Sequence, residues 1–255
     1  MIKELKTDSL DLKIYPDRLR MGEAAASAVA ERVTQLLAEQ EFVNIIFASA
    51  PSQNEFLAAL IQQKDIDWTR INAFHMDEYI GLPENAPEKF GSFLKEKIFG
   101  RVPFRSLNYI NGNAPDALAE CGHYAELLLQ YPPDIVCLGI GENGHIAFND
   151  PHVADLDDPL EVKIVDLDFE CRQQQVSDGC FKMLKDVPSH AITLTVPALM
   201  AGRYVYAIVP GKNKARAVYH TLYDKISEQC PASALRRHPQ AVLFLDDSSS
   251  ALVKY

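Results

Sequence analysis

Cysteine pattern, basic blocks and long apolar runs are what this chain lacks. Its five cysteines, Cys121, Cys137, Cys171, Cys180 and Cys230, are odd in number and widely spaced. Neither a disulfide framework nor a zinc-site spacing emerges, and they read as reduced packing residues. Lys and Arg total 25 against 35 Asp and Glu, a formal net charge of −10 with no basic stretch, which argues against a nucleic-acid surface. No uninterrupted apolar run of about 18 residues occurs, so no membrane helix is expected. The first eight residues carry no apolar signal core. These absences point to a cytoplasmic protein. No metal-ligand cluster and no complete dinucleotide fingerprint is visible, so neither a metal nor a cofactor is expected.

What is present is regular. A chain of 255 residues, 47% hydrophobic, can bury one sizeable core, and residues 1–255 read as a single domain with no linker, repeat or low-complexity stretch. A short strand is expected over 12–15. Over 22–40 the apolar residues Ala25, Ala26, Val29, Val33, Leu36 and Leu37 recur at helical spacing. Strands are expected at 42–48, 70–75, 106–110 and 135–139, with helices from about 53, at 87–99 and at 117–129. Further strands are expected at 162–165, 191–194, 204–209 and 241–245. This alternation specifies an α/β fold, a mostly parallel sheet flanked by helices. The polar stretch 152–185 is longer than most connections and reads equally as a mobile lid or an ordinary insertion.

Chemistry concentrates where strands end. Residues 139–151 read G-I-G-E-N-G-H-I-A-F-N-D-P directly after the apolar run Ile135-Val136-Cys137-Leu138. Such a break delivers His145, Asn143 and Asp150 to the carboxyl edge of a parallel sheet, where open α/β folds place their ligands. His145 is the first candidate for proton transfer, with Asn143 and Asp150 to orient it; the plainer alternative is a surface loop whose histidine caps a strand. Asp77 and Glu78 end the strand at 70–75, as a general base with its neighbour or as capping groups. Ser52 and Glu55 match the S-x-x-E capping pattern, in a loop whose Ser49 and Ser52 hydroxyls could help hold an anion. Lys212 and Lys214 oppose a helix dipole if they lie in a first turn, which makes electrostatic sense beside a bound phosphate.

Taken in order along nearly the whole chain, these stretches resemble the glucosamine-6-phosphate deaminase family, also called glucosamine-6-phosphate isomerase, within the group that includes 6-phosphogluconolactonases. The resemblance rests on the 49–53 loop, M-D-E-Y-I-G-L-P from Met76, Ser92-Phe93, N-G-N-A-P-D from Asn111, G-H-I-A-F-N from Gly144, Pro210 to Lys214, and His238-Pro239. Lactonases carry a G-H-T-A-S-L-F-P-like stretch at the histidine, so the deaminase branch fits better.

The resemblance implies a three-layer modified Rossmann-type fold. It implies conversion of an amino-sugar 6-phosphate to a ketose 6-phosphate and ammonia. Asp77 then matches the carboxylate that moves a proton between C2 and C1, and His145 the ring-opening acid/base. Asp150 falls where the family carries a glutamate beside that histidine, and Asn143 where it carries an aspartate. Lys214 matches the phosphate-binding lysine. Ser49 and Ser52 occupy threonine positions of a T-G-G-T core that here reads Ser-Ala-Pro-Ser, and Arg172 or Gln175 matches the lid arginine. An amide at 143 removes a charge that favours imidazolium, leaving Asp150 to supply it. Lactone hydrolysis and non-catalytic sugar-phosphate sensing are the competing readings. The family contains monomers and closed oligomers, and no residue chooses between them; the expected partner is a small sugar phosphate.

Overall fold

The computed structural model describes residues 1–177 and 179–254. The chain opens with β1 (Lys3–Thr7) and β2 (Leu10–Tyr15), followed by α1 (Arg18–Glu39), β3 (Val43–Phe47), α2 (Asn54–Leu60), β4 (Ile71–His75), β5 (Asp77–Tyr79) and α3 (Phe90–Leu94). Next come β6 (Ser106–Asn108), α4 (Ala117–Gln130), β7 (Ile135–Leu138), β8 (Val162–Asp166), α5 (Phe169–Ser177) and β9 (His190–Leu194). α6 (Val196–Met200), β10 (Tyr204–Val209), α7 (Ala215–Tyr223) and β11 (Ala241–Asp246) complete it.

Eight strands form the main sheet in the order β1-β2-β11-β10-β7-β3-β4-β6. Only the β1–β2 pairing is antiparallel. Buried strand residues alternate between two cores, as a period of two requires. Ile135 and Cys137 of β7 pack with α1, α2 and residues 94–99, whereas Val136 and Leu138 pack with α4, α6 and α7. Full burial of each such side chain contributes about 1.5–3 kcal/mol, so a one-residue slip would forfeit a whole face.

α1 begins four residues earlier than its apolar periodicity suggests, because the Asp17 carboxylate accepts the Arg20 amide at 2.8 Å and caps the helix. Gly22 permits a close crossing with α2: a Cβ there would lie 2.7 Å from the Glu55 Cβ.

Three sequence expectations need correction. The S-x-x-E cap does not form, since Glu55 is drawn away to Arg18 and a 3-10 turn over Pro51–Gln53 leads into α2 with no side-chain cap. The expected helix at 87–99 is α3, whose last part widens into a π-turn over Lys95–Phe99. The strands expected near 162 and 191 do not join the main sheet. They pair antiparallel with β5 in a separate sheet ordered β5-β9-β8.

Strand order decides where chemistry can occur. β10, β7, β3 and β4 are consecutive neighbours, so the four loops at their carboxyl ends face one another. From β3 the chain moves outward to β4, and from β7 it moves the other way to β10. The crevice between β3 and β7 is therefore a topological switch point, where ligands of open α/β sheets bind.

Candidate active site

A cleft at this switch point encloses about 900 Å³, counting the solvent at its mouth, which is of small-molecule size. The loop after β3 contributes Ser49, Ala50, Pro51 and Ser52, and β5 contributes Asp77. His145 comes from the loop after β7, Asn213 and Lys214 from the turn after β10. Of the residues expected from sequence, Asp77, His145, Ser49, Ser52 and Lys214 thus meet in one cavity.

The histidine loop is shaped by its small residues. A Cβ on Gly141 would lie 2.1 to 2.3 Å from the His145 ring, so only glycine leaves the imidazole its place. Ala147 adopts φ +48°, a left-handed conformation rare for a residue with a Cβ. Asn149 holds that turn by donating to the carbonyls of Ile146 and Leu194 at 2.9 and 2.8 Å. Nothing in the sequence marks this role for Asn149, whose amide the structure shows to be fully buried.

His145 Nδ1 lies 2.8 Å from Asn143 Oδ1 and 3.0 Å from Asp150 Oδ1. Two acceptors on Nδ1 assign it the proton and leave Nε2 as the nitrogen available for chemistry. Asn143 donates its Nδ2 to Asp150 Oδ1 at 2.7 Å and accepts the His145 backbone amide at 3.1 Å. An amide at 143 thus accepts toward the histidine while donating toward the carboxylate, which an ionised aspartate could not do. Asp150 is buried; burial alone would raise its pKa, but the His145 charge and hydrogen bonds from His145, Asn143 and Cys171 hold it well below the usual carboxylate range.

Asp77 and Glu78 point to opposite sides, as neighbours in a strand must. Asp77 lines the cleft at 6% exposure, and burial first, then the Glu78 charge, pushes its pKa well above the ordinary value. Glu78 accepts the amides of Tyr79, Phe90 and Gly91 at 2.9, 3.1 and 2.9 Å. Burial raises its pKa and these amides oppose the rise. Glu78 therefore tethers the start of α3, and Asp77 is the carboxylate that faces the cleft. His75, at the end of β4, is a neutral core residue: burial pushes it down to about 3, and its Nε2 accepts the Ile110 amide at 2.8 Å.

At the other end of the cleft, the Ser49 hydroxyl is buried and has no hydrogen-bond partner among the described residues. Ser52 Oγ accepts from Gln53 Nε2 at 3.1 Å, and Gln53 ties the loop to β10 through the Ile208 carbonyl at 3.1 Å. Lys214 closes a 3-10 turn over Lys212–Lys214 and is buried at 7% exposure, whereas Lys212 stays on the surface. The two lysines therefore precede α7 rather than occupying its first turn.

The stretch 152–185 contains ordered β8 and α5, and α5 borders the cleft through Gln174 and Gln175. Arg172 does not line it. Its Nη2 donates to the carbonyls of Leu184 and Val187, both at 2.9 Å, which turns its side chain toward the segment that follows α5. Arg18 also lines the cleft, from the start of α1, and sequence reading passed over it. Nothing nearby in sequence marks it, since its partners lie 33 and 37 residues away. Among the described residues no cluster of three or more His, Cys, Asp or Glu is placed to hold a metal ion. No described helix is long and apolar enough to cross a membrane.

A glucosamine-6-phosphate deaminase from Listeria monocytogenes serotype 4a is 34% identical over 211 residues, covering 83% of this chain and 88% of that protein. One from Bacillus cereus strain B4264 is 33% identical over 234 residues, covering 92% and 87%. The solved structure of a monomeric glucosamine-6-phosphate deaminase superposes with a TM-score of 0.86 at 27% identity, covering 94% of this chain and 99% of that one. A 6-phosphogluconolactonase from Thermotoga maritima shares the fold, with a TM-score of 0.76 at 20% identity over 92% and 99%. Residues 16–244 match the family model of the glucosamine-6-phosphate isomerases and 6-phosphogluconolactonases, and the chain belongs to that family.

Proposed function

We propose that this protein converts a hexosamine 6-phosphate, glucosamine 6-phosphate first among them, to the ketose 6-phosphate and ammonia. The observation that carries this reading is one cleft holding a buried carboxylate (Asp77) and a tautomer-fixed imidazole (His145) together with Lys214 and the unpartnered Ser49 hydroxyl. Phosphate recognition alone needs neither Asp77 nor His145, and similarity to named deaminases at 33–34% identity supports the same chemistry.

Lys214, Ser49 and Ser52 hold the phosphate and so fix the sugar relative to the two proton carriers. His145 Nε2 takes the anomeric hydroxyl proton as the C1–O5 bond breaks and returns it to the ring oxygen, giving the open aldehyde. Asp150 and Asn143 keep Nδ1 protonated and the ring aligned. Asp77 as carboxylate removes the C2 proton while the C1 oxygen takes up a proton from solvent, giving a C1–C2 enolamine, and it then returns its proton to C1. The C1–C2 π pair forms that C–H bond as the nitrogen lone pair forms a C2 iminium, to which water adds; the nitrogen takes a proton from the added water and leaves as ammonia, and the C2 ketone remains. A carboxylate with a raised pKa is a stronger base for a weakly acidic C–H than an ordinary one.

The test is to incubate purified protein with glucosamine 6-phosphate, galactosamine 6-phosphate and 6-phosphogluconolactone, and to measure ammonia, ketose phosphate and acid. Ammonia and ketose phosphate in equal amounts are expected. Acid from the lactone without either product would make the protein a lactonase, and sugar-phosphate binding without turnover would make it a sensor.

A further inference from the structure

The cleft has a second cation that the chain's own lid does not supply. Among the described residues lining it, Arg18 and Lys214 are the permanently charged ones. A phosphate monoester carries about 1.5 to 2 negative charges at neutral pH, more than one lysine offsets. α5 brings only the neutral amides of Gln174 and Gln175 to the cleft, and Arg172, which is not among the lining residues, turns its Nη2 to the Leu184 and Val187 carbonyls.

Arg18 is held in a form suited to an anion. Its Nε donates to Glu55 Oε1 at 2.8 Å and its Nη2 to Glu55 Oε2 at 2.9 Å, a two-pronged pair that fixes the guanidinium plane. Nη2 also donates to the Pro51 carbonyl at 3.2 Å, which places the group against the loop that carries Ser49 and Ser52. No hydrogen bond or ion pair among the described residues engages Nη1. Its two N–H donors therefore remain for a ligand. The approach depends on Gly22, one helical turn after Arg18 on the same face of α1, where the absence of a Cβ lets α2 bring Glu55 close.

We infer that Arg18, aligned by Glu55, contacts the substrate phosphate and serves with Lys214 as the second cation of the phosphate subsite. This rests on the sugar-phosphate reading above and names a residue that the reading does not require.

Calorimetric titration of the full chain with inorganic phosphate tests it, using wild type, Arg18→Ala, Arg18→Lys and Glu55→Gln, each checked for folding by thermal melt. Arg18→Ala should weaken phosphate binding by about tenfold to a hundredfold, the loss of a charge-assisted contact. With glucosamine 6-phosphate as substrate, KM should rise by more than kcat falls. Arg18→Lys should recover part of the binding, and Glu55→Gln, which keeps the cation, should lose far less than Arg18→Ala.

Phosphate binding by Arg18→Ala equal to wild type, or no phosphate binding by wild type itself, overturns the inference. So does an equal loss in Glu55→Gln, which would make the pair a brace for the loop. The inference and the reaction fail separately. A phosphate site that needs Arg18 in a protein that releases no ammonia sinks only the reaction, while normal turnover with an Arg18-independent site sinks only the subsite.

Discussion

At Asp77, the proton carrier of the proposed reaction, function and stability should oppose each other. Its carboxylate is buried and no ion pair engages it among the described residues, so ionisation in the folded protein is costly. A folded-state pKa raised above the unfolded one contributes stability fully present at low pH and lost as pH rises through the folded value. Asp77→Asn should therefore melt at a higher temperature than wild type at neutral pH, with the gap closing on acidification into the ordinary carboxylate range. The same substitution should lower kcat by roughly 10²- to 10⁴-fold, the usual worth of a positioned acid/base group. Thermal melts across pH with steady-state kinetics check both; an inactive variant that is also less stable would assign Asp77 to packing. Because the proposed reaction uses the carboxylate form of Asp77, the acidic limb of the wild-type kcat/KM profile should lie above the ordinary carboxylate range. Asn143 offers a second test. Asn143→Asp puts a second negative group against His145 and ends the 2.7 Å donation to Asp150, so imidazolium is favoured and the His145-dependent part of the acidic limb should move upward, apart from the part set by Asp77. An unmoved limb would mean that the residue does not act on the histidine.

Single loops act as elements here because their backbone shape is what places the side chains. Gly141→Ala forces a methyl group into the space of the His145 ring, and the ring must move by an ångström or more. Such a displacement costs about 10²-fold in turnover without removing any chemical group. The check is kcat together with phosphate affinity, since the loop after β3 is untouched and inorganic phosphate should bind as in wild type. Equal loss of both would show a collapsed cleft. Lys214, in the turn after β10, should behave the opposite way: Lys214→Ala should raise KM for phosphorylated sugars far more than for unphosphorylated ones, as a lost charge-assisted contact of about 1.5–3 kcal/mol requires. The element that most altered the expected picture is α5. The family resemblance leaves Arg172 or Gln175 for the lid position, and a helix turns by about 100° per residue. Only once the helix is oriented by Arg172's hold on Leu184 and Val187 does it become clear that Gln174 and Gln175 are the residues over the cleft.

At the scale of the molecule, one buried charge centre couples the site to acid stability. Asp150 is held well below the usual carboxylate range, so its stabilising contribution exists above the unfolded-state value and is lost as pH falls through the folded one. Asp150→Asn should lower the melting temperature at neutral pH, and the deficit should shrink as both proteins are acidified; a deficit independent of pH would remove the charge from the explanation. Much of the whole was legible in the chain alone. The largely apolar runs of β3, β4, β7, β10 and β11 marked a parallel sheet, since strands buried on both faces are near-continuously apolar, and the buried Asn44 of β3 and Asn72 of β4 bond to each other at 2.8 Å. The glycines around His145 and the polar residues after four strands marked the carboxyl edge. Sequence could not reveal which strands are neighbours, because hydrogen-bond pairing is not written in local pattern. It was strand order that brought the loops after β3, β7 and β10 and the start of β5 into one cleft, set β8 and β9 apart in a second sheet, and delivered Arg18 to Glu55 across 37 residues. Local periodicity determines which residues are buried and where the chain turns; only the tertiary structure, through contacts between distant segments, decides which polar groups meet and which, like Arg172, are spent elsewhere.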